Sequence, residues 1–260
     1  MNYWQNRDKA KDKAKEHARY MGSNYVNDIT NCTMASTVYG GDDKSPAEYM
    51  VGSEKNQQTT LKMTTTDALH YISKNIEGTG KRVCLLNFAS YKNPGGMFMA
   101  GSMAQEEALC HSSFLYNVLC SFNGSYYAVN RRDQNRALYR DRAIYSPDVK
   151  FFDNEGNYVL ADVLTCAAPN RSVQQKYGMT SDEENVEALR QRIVFIRNII
   201  AEHEVDVVIL GAWGCGVFGQ DSNTVAELMY KTFEGFKADV VYAVPDDQNL
   251  AAFEKECNKP

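Results

Sequence analysis

Two adjacent carboxylates, Glu106 and Glu107, follow Gln105 and a stretch of small and apolar residues that opens with Pro94-Gly95-Gly96-Met97. A carboxyl group held beside a ligand does acid–base work best when its surroundings move its pKa toward neutral pH. Glycines ahead of it let the backbone approach the ligand with no Cβ in the way and adopt positive φ. Ser102 and Gln105 have capping-box spacing, which predicts a helix from Met103 with Gln105, Glu106 and Glu107 in its first turn or just beyond. The helix N-terminus favours the charged carboxylate by about 0.3–1 kcal/mol. Burial and a nearby anion act the other way. Successive helical residues point about 100° apart, so the two glutamates cannot meet one ligand atom equally. One is expected to donate the proton and the other to position the ligand. A helix start merely decorated with acids is the plainer alternative, and the glycines beside it weigh against that.

A second glycine-rich segment, with Gly211, Gly214, Gly216 and Gly219, joins an apolar stretch at Val205–Leu210 to a helix expected near Asp221 or Ser222. In open α/β sheets ligands bind beyond the carboxyl ends of the strands, where backbone N–H groups suit a phosphate. No Lys or Arg lies within residues 206–230, so backbone dipoles would meet the charge. The spacing is neither that of a P-loop nor that of a dinucleotide fingerprint, and a packing turn is the alternative. Trp213 and Phe218 either wall a sugar or base or belong to the core. Together the two segments suggest a phosphate-bearing ligand held between loops. Cys110-His111 makes a poor hydrolase pair, because neighbours on a helix do not face each other. His17, His70, His111 and His203 are scattered, and no metal site is expected.

The elements that must position these loops follow from periodicity. A strand is predicted over Thr60–Thr65 and a helix over Asp67–Ile76, with Ala68, Leu69, Ile72 and Ile76 on one face. Arg82–Phe88 is a near-continuous apolar run, as in a strand covered on both faces. A helix over 103–120 follows. Tyr145–Lys150 and Phe151–Leu160 read as strands about a turn at residues 154–157, with a further strand at Ala161–Cys166. Ser181 and Glu184 form a capping box before Val186, Leu189, Ile193, Ile196 and Ile200. Val205–Leu210 and Asp239–Val244 are apolar strands, each followed by a helical stretch. Such alternation implies an α/β fold with a largely parallel sheet and helices on both faces. Residues 7–21 read as an exposed helix and 40–58 as a surface loop. One domain is expected over 1–260, with 1–58 a helical and loop extension packed on it.

The 260 residues carry 28 basic and 33 acidic side chains, a net charge of −5, which argues against a broad nucleic-acid-binding face. Seven cysteines, an odd number with no CxxC pair, predict free thiols and a cytoplasmic setting. The charged N-terminus does not read as a signal peptide, and no run approaches the roughly 20 apolar residues of a membrane span.

Residues Asn87–Glu107, Ala167–Asn170 and Leu210–Phe218 resemble the bacterial-type poly(ADP-ribose) glycohydrolases, a branch of the macrodomain superfamily. The family signature is three glycines, a short spacer and Gln-Glu-Glu. It reads here as Gly95-Gly96-Met97, seven residues, and Gln105-Glu106-Glu107. The resemblance covers most of residues 60–245. It implies a three-layer α/β/α macrodomain-like fold with a mostly parallel mixed sheet, and cleavage of ribose–ribose O-glycosidic bonds with release of ADP-ribose. It makes Glu107 the general acid/base, with Glu106 and Gln105 holding the scissile ribose. Asn93, Gly95 and Gly96 would line that ribose and the diphosphate, with Met97 in place of the third glycine. Gly214, Cys215, Gly216, Val217 and Phe218 would wrap the diphosphate, Phe218 against the distal ribose. Asp67 stands where macrodomains place an acid on the adenine amino group, and Asn27-Asp28-Ile29-Thr30 is a competing match. The implied partners are ADP-ribose and poly(ADP-ribosyl)ated proteins, with no direct DNA or RNA binding, no membrane, no metal and no cofactor. The alternative is an ADP-ribose reader module or a mono-ADP-ribosyl hydrolase, with chain cleavage weakened by Met97. The retained pair of glutamates opposes a pure reader.

Overall fold

The computed structural model describes residues 3–50, 52 and 56–259, with side chains from residue 8 onward. Helices α1 (Tyr3–Asn24) and α2 (Val26–Ala35) lead into a short strand, β1 (Thr37–Tyr39). The predicted loop after it is irregular except for an isolated bridge between Tyr39 and Lys44, and its residues 51 and 53–55 lie outside the described ones. The remaining strands are β2 (Gln58–Leu61), β3 (Val83–Phe88), β4 (Ala143–Phe152), β5 (Tyr158–Cys166), β6 (Val207–Leu210) and β7 (Asp239–Ala243). They form one sheet in the order β1-β4-β5-β3-β6-β7-β2. The run from β5 to β2 is parallel, and β4 is antiparallel to both β1 and β5.

Side chains on a strand alternate between faces, and here both faces are covered. Cys84 and Leu86 of β3 join a core with Leu189 and Ile193 of α8 (Asp182–Ala201), Met229 of α9 (Ser222–Phe233) and Phe253 of α10 (Asp247–Cys257). Val83 and Leu85 join the opposite core, with Ala14 of α1, Cys32 of α2 and Leu69 of α3 (Thr65–Asn75). The architecture is the expected three-layer α/β/α with a mostly parallel mixed sheet.

Several local expectations are corrected. The strand predicted to reach Thr65 ends at Leu61, because the Thr64 hydroxyl accepts from Asp67 N and caps α3. The helix predicted over 103–120 is two, α4 (Gln105–His111) and α5 (Leu115–Ser121). Between them Ser112 O accepts from Phe152 N at 2.7 Å, and Ser113 bridges to Phe151 of β4. Ser102 caps nothing, since the Gln105 side chain is spent on β3: its Oε1 accepts from Phe88 N (2.8 Å) and its Nε2 donates to Leu86 O (2.9 Å). The hairpin turn begins at Asp153, whose Oδ1 accepts from Glu155 N and Asn157 N, so 158–160 and 161–166 are one strand. The Ser181–Glu184 capping box is formed. Val186 is exposed, however, and Asn185 turns inward instead. Further helices, α6 (Ala128–Arg132) and α7 (Arg171–Tyr177), stand behind the loops, and a π-helical turn over Asn123–Tyr127 leads into α6.

Candidate active site

The chain leaves the central strand β3 through residues 89–104 and returns as α4, which Gln105 moors to the strand it has just left. This puts Glu106 and Glu107 over the carboxyl end of the sheet, both buried. Glu106 Oε2 accepts from Ser90 N at 2.7 Å and Oε1 from Asn87 Nδ2 at 3.3 Å. Burial pushes its pKa up to about 8. The two hydrogen bonds pull against that rise, and the neighbouring Glu107 adds to it. Glu107 Oε1 accepts from Met97 N at 2.7 Å, while its Oε2 is buried with no hydrogen-bond partner. A buried polar atom without a partner is uncommon in a native fold and marks a place where a ligand group can complete the bonding.

The glycine loop is shaped by these carboxylates. Gly96 has φ of 57°, and a Cβ there would stand 2.6 Å from Glu107 Oε1 and 2.8 Å from Glu106 Oε2. Gly95, at φ of 63°, would push a Cβ to 2.7 Å from the Tyr116 ring. Met97 has φ of −105°, which any residue adopts, and its side chain is 54% exposed. Only its backbone N–H is required by Glu107, so the third position tolerates a side chain.

The second wall leaves β6. Gly219 N donates to Gly216 O (3.0 Å) and Gln220 N to Gly214 O (3.0 Å), curling the loop before Asp221 caps α9 by accepting from Thr224 N. Gln220 and Asn185 exchange two side-chain hydrogen bonds of 2.9 Å each, tying the loop to α8. Phe218 O accepts from Ser172 N of α7 at 3.0 Å. Trp213 proves to be core: it is fully buried, donates Nε1–H to Cys166 O (3.1 Å), and shows the cavity only its edge of that core.

Between the walls lies a cavity of about 330 Å³. Gln105, Glu106, Glu107, Asn93, Gly96, Met97, Gly214, Gly216, Val217 and Phe218 line it. Three other predicted residues do not. Gly95 stands behind the loop against Tyr116, and Cys215 packs on the core. Asp67 is exposed, its carboxylate accepting from the Thr64 hydroxyl at 2.7 Å. The competing Asp28 pairs with Lys150 at 2.7 Å. Sequence reasoning passed over Ser90, Ala168 and Ala212, which border the cavity where β3, β5 and β6 end. Their one signal is position, since small residues after apolar strands carry no chemistry of their own. Burial drives the Cys110 thiol well above its ordinary pKa, which leaves it inert as a nucleophile. Among the described residues no three His, Cys, Asp or Glu gather in a way that could hold a metal ion, and no helix is long and apolar enough to cross a membrane.

Comparison with known proteins decides the family. Residues 11–154, more than half of the chain, match the model of the microbial-type PARG catalytic domain. The chain belongs to this family. Among solved structures it is similar to the poly(ADP-ribose) glycohydrolase (PARG) of Thermomonospora curvata, with a TM-score of 0.83 and 29% identity over 96% of this chain and 100% of that one. The same enzyme bound to the inhibitor ADP-HPD gives a TM-score of 0.82 and 30% identity, over 96% and 99% of the two chains. The PARG of Deinococcus radiodurans in complex with ADP-ribose gives a TM-score of 0.76 and 32% identity, over 88% and 97%. No curated protein matches the chain. The protein is thus a glycoside hydrolase of the PARG type, on the macrodomain-like fold of these structures.

Proposed function

We propose that the protein cleaves the ribose–ribose O-glycosidic bonds of poly(ADP-ribose) and releases ADP-ribose, with Glu107 as general acid and then base. The observation that carries this is Glu107 Oε2, a buried carboxylate oxygen that lacks a protein partner on a residue that lines the cavity, while Met97 N–H holds its twin. The diphosphate lies along the backbone of residues 214–218. Glu106 holds the scissile ribose, with Asn93 and Gly96 beside it, and Gln105, its side chain spent on β3, supports that ribose only by mooring α4.

An arriving diphosphate favours a bound proton on a carboxyl beside it. As the C1–O bond of the scissile ribose breaks, Glu107 Oε2 delivers the proton to the leaving ribose oxygen. Water then adds to the oxocarbenium-like C1, and its proton returns to Glu107. Adjacent helical residues cannot flank one bond from opposite faces, so the two-carboxylate scheme of most glycosidases does not apply. The residues serve ADP-ribose and poly(ADP-ribosyl)ated proteins as ligands in a cytoplasmic setting. Residues 1–58 form one domain with the rest, a reading supported by Ala14 and Met21 of α1, which are buried in the same core as Leu85. Asp67 keeps the adenine role on the resemblance alone.

Incubation with poly(ADP-ribosyl)ated protein should release ADP-ribose. A Glu107→Gln variant should lose at least about 10²-fold in kcat while still binding ADP-ribose. Full activity in that variant would sink the assignment. Binding without release in the unmodified protein would favour the second reading, a reader or mono-ADP-ribosyl hydrolase, for which the Met97 side chain at the cavity is the supporting feature.

A further inference from the structure

Behind the two glycine loops, outside the cavity, runs a turn with an unusual backbone. Asn135, Arg136, Ala137 and Tyr139 have φ of 43°, 54°, 62° and 61°. None is glycine, and left-handed geometry is unfavourable for all of them but Asn135. Buried groups hold the turn in place. Asn170 N and Gln174 Nε2 both donate to Ala137 O, at 2.8 and 3.0 Å. Arg192, 2% exposed, donates to Leu138 O and Ala167 O and pairs with Asp141. Strain persists only where the surroundings over-determine it, and it collects near functional sites.

The side chain this turn presents is Tyr139. Its ring lies flat on Tyr91, with centroids 4.1 Å apart and planes 9° from parallel, and meets Phe218 edge-on at 6.0 Å. Tyr91 belongs to the first loop and is fixed at its hydroxyl, which donates to Asp133 O and accepts from Arg140 N. Phe218 belongs to the second loop and borders the cavity, whereas neither tyrosine does.

We propose that Tyr139 is a positioning residue: held by the strained turn, it sets the Phe218 ring against the bound ribose and couples the two loops so that they act as one clamp. The proposal rests on the reading of the cavity as an ADP-ribose site. Tyr139→Asn removes the ring and leaves a residue tolerant of positive φ. Tyr139→Phe keeps the ring and loses only a 3.5 Å contact from Asn170 Nδ2.

In the ligand-free protein, amide hydrogen exchange of peptides covering 90–97 and 214–220 should quicken about tenfold in Tyr139→Asn and stay unchanged in Tyr139→Phe, with α8 and β6 as protected as before. The Kd for ADP-ribose should rise about 3- to 10-fold in Tyr139→Asn, the range for one aromatic pair. KM should move with it while kcat holds. Combined with Phe218→Ala, the loss should fall short of the product of the single losses. Unchanged exchange in both loops, a uniform rise along the whole chain, or losses that multiply would each overturn the proposal. Failure of the unmodified protein to bind ADP-ribose would instead overturn the reading of the site, and the exchange measurement would still decide the role of Tyr139.

Discussion

Replacing Glu106 with Gln should change how stability depends on pH. Burial raises the folded-state pKa of Glu106 to about 8 from an ordinary value of 4.5. A raised folded value means that folding takes up a proton between the two pKa values. The stabilisation is therefore complete below about pH 4.5 and is lost as pH climbs through 8. For a single group with these values, the loss between pH 5.5 and 8 is about 3 kcal/mol. An amide stays neutral throughout and contributes no such slope. It also fits the site: rotating the Asn87 amide turns its Oδ1, which has no partner, toward the new N–H. Urea denaturation of the ligand-free proteins at pH 5.5, 6.5, 7.2 and 8 gives the two stability curves. Burial holds His111 and His203 below their ordinary pKa, which tilts stability the opposite way, but equally in both proteins, so the difference isolates Glu106. The advantage of the unmodified protein over the variant should shrink by about 3 kcal/mol across the range. A difference flat to within about 1 kcal/mol would refute the claim that Glu106 is held neutral, since a carboxyl already ionised in the folded protein adds no slope above about pH 5.5.

Gly96→Ala sets a Cβ against both carboxylates at positive φ. It should lower thermal stability by at least about 1–2 kcal/mol and abolish release of ADP-ribose. Met97→Gly keeps the N–H that holds Glu107, so ADP-ribose release should survive, while the freer unfolded chain costs about 0.4–1 kcal/mol in urea denaturation. Asn185→Ala leaves the buried Gln220 amide half-paired and should cost about 1–3 kcal/mol by the same measurement, with looser ADP-ribose binding in calorimetry.

The sheet was legible wherever burial on both faces left an unbroken apolar run, as at Val83–Phe88, and α8 was legible from its capping box and its isoleucines. The same Ser-x-x-Gln logic misled at Ser102, because a capping pattern is local and Gln105 had a better offer of hydrogen bonds from the main chain of β3. Thr64 misled in a similar way, since threonine suits both a strand and a helix cap. The three-residue β1 is too short to show a period. At the site, the two glutamates and their glycines announce themselves through residue type and spacing. Ser90 does not, because the group it gives Glu106 is a backbone N–H, which any residue could supply. The Tyr91–Tyr139 stack joins residues far apart in the chain and has no local signature.

None of the residues bordering the cavity is a lysine, arginine or histidine. On the proposed reading the site would meet a twice-charged diphosphate with amide dipoles in place of cations, beside an acidic pair and on a chain of net charge −5. Dipoles act only at contact range, whereas clustered cations draw in anions from a distance. On that reading the cavity selects its ligand by fit after collision, and its occupancy should change little with ionic strength.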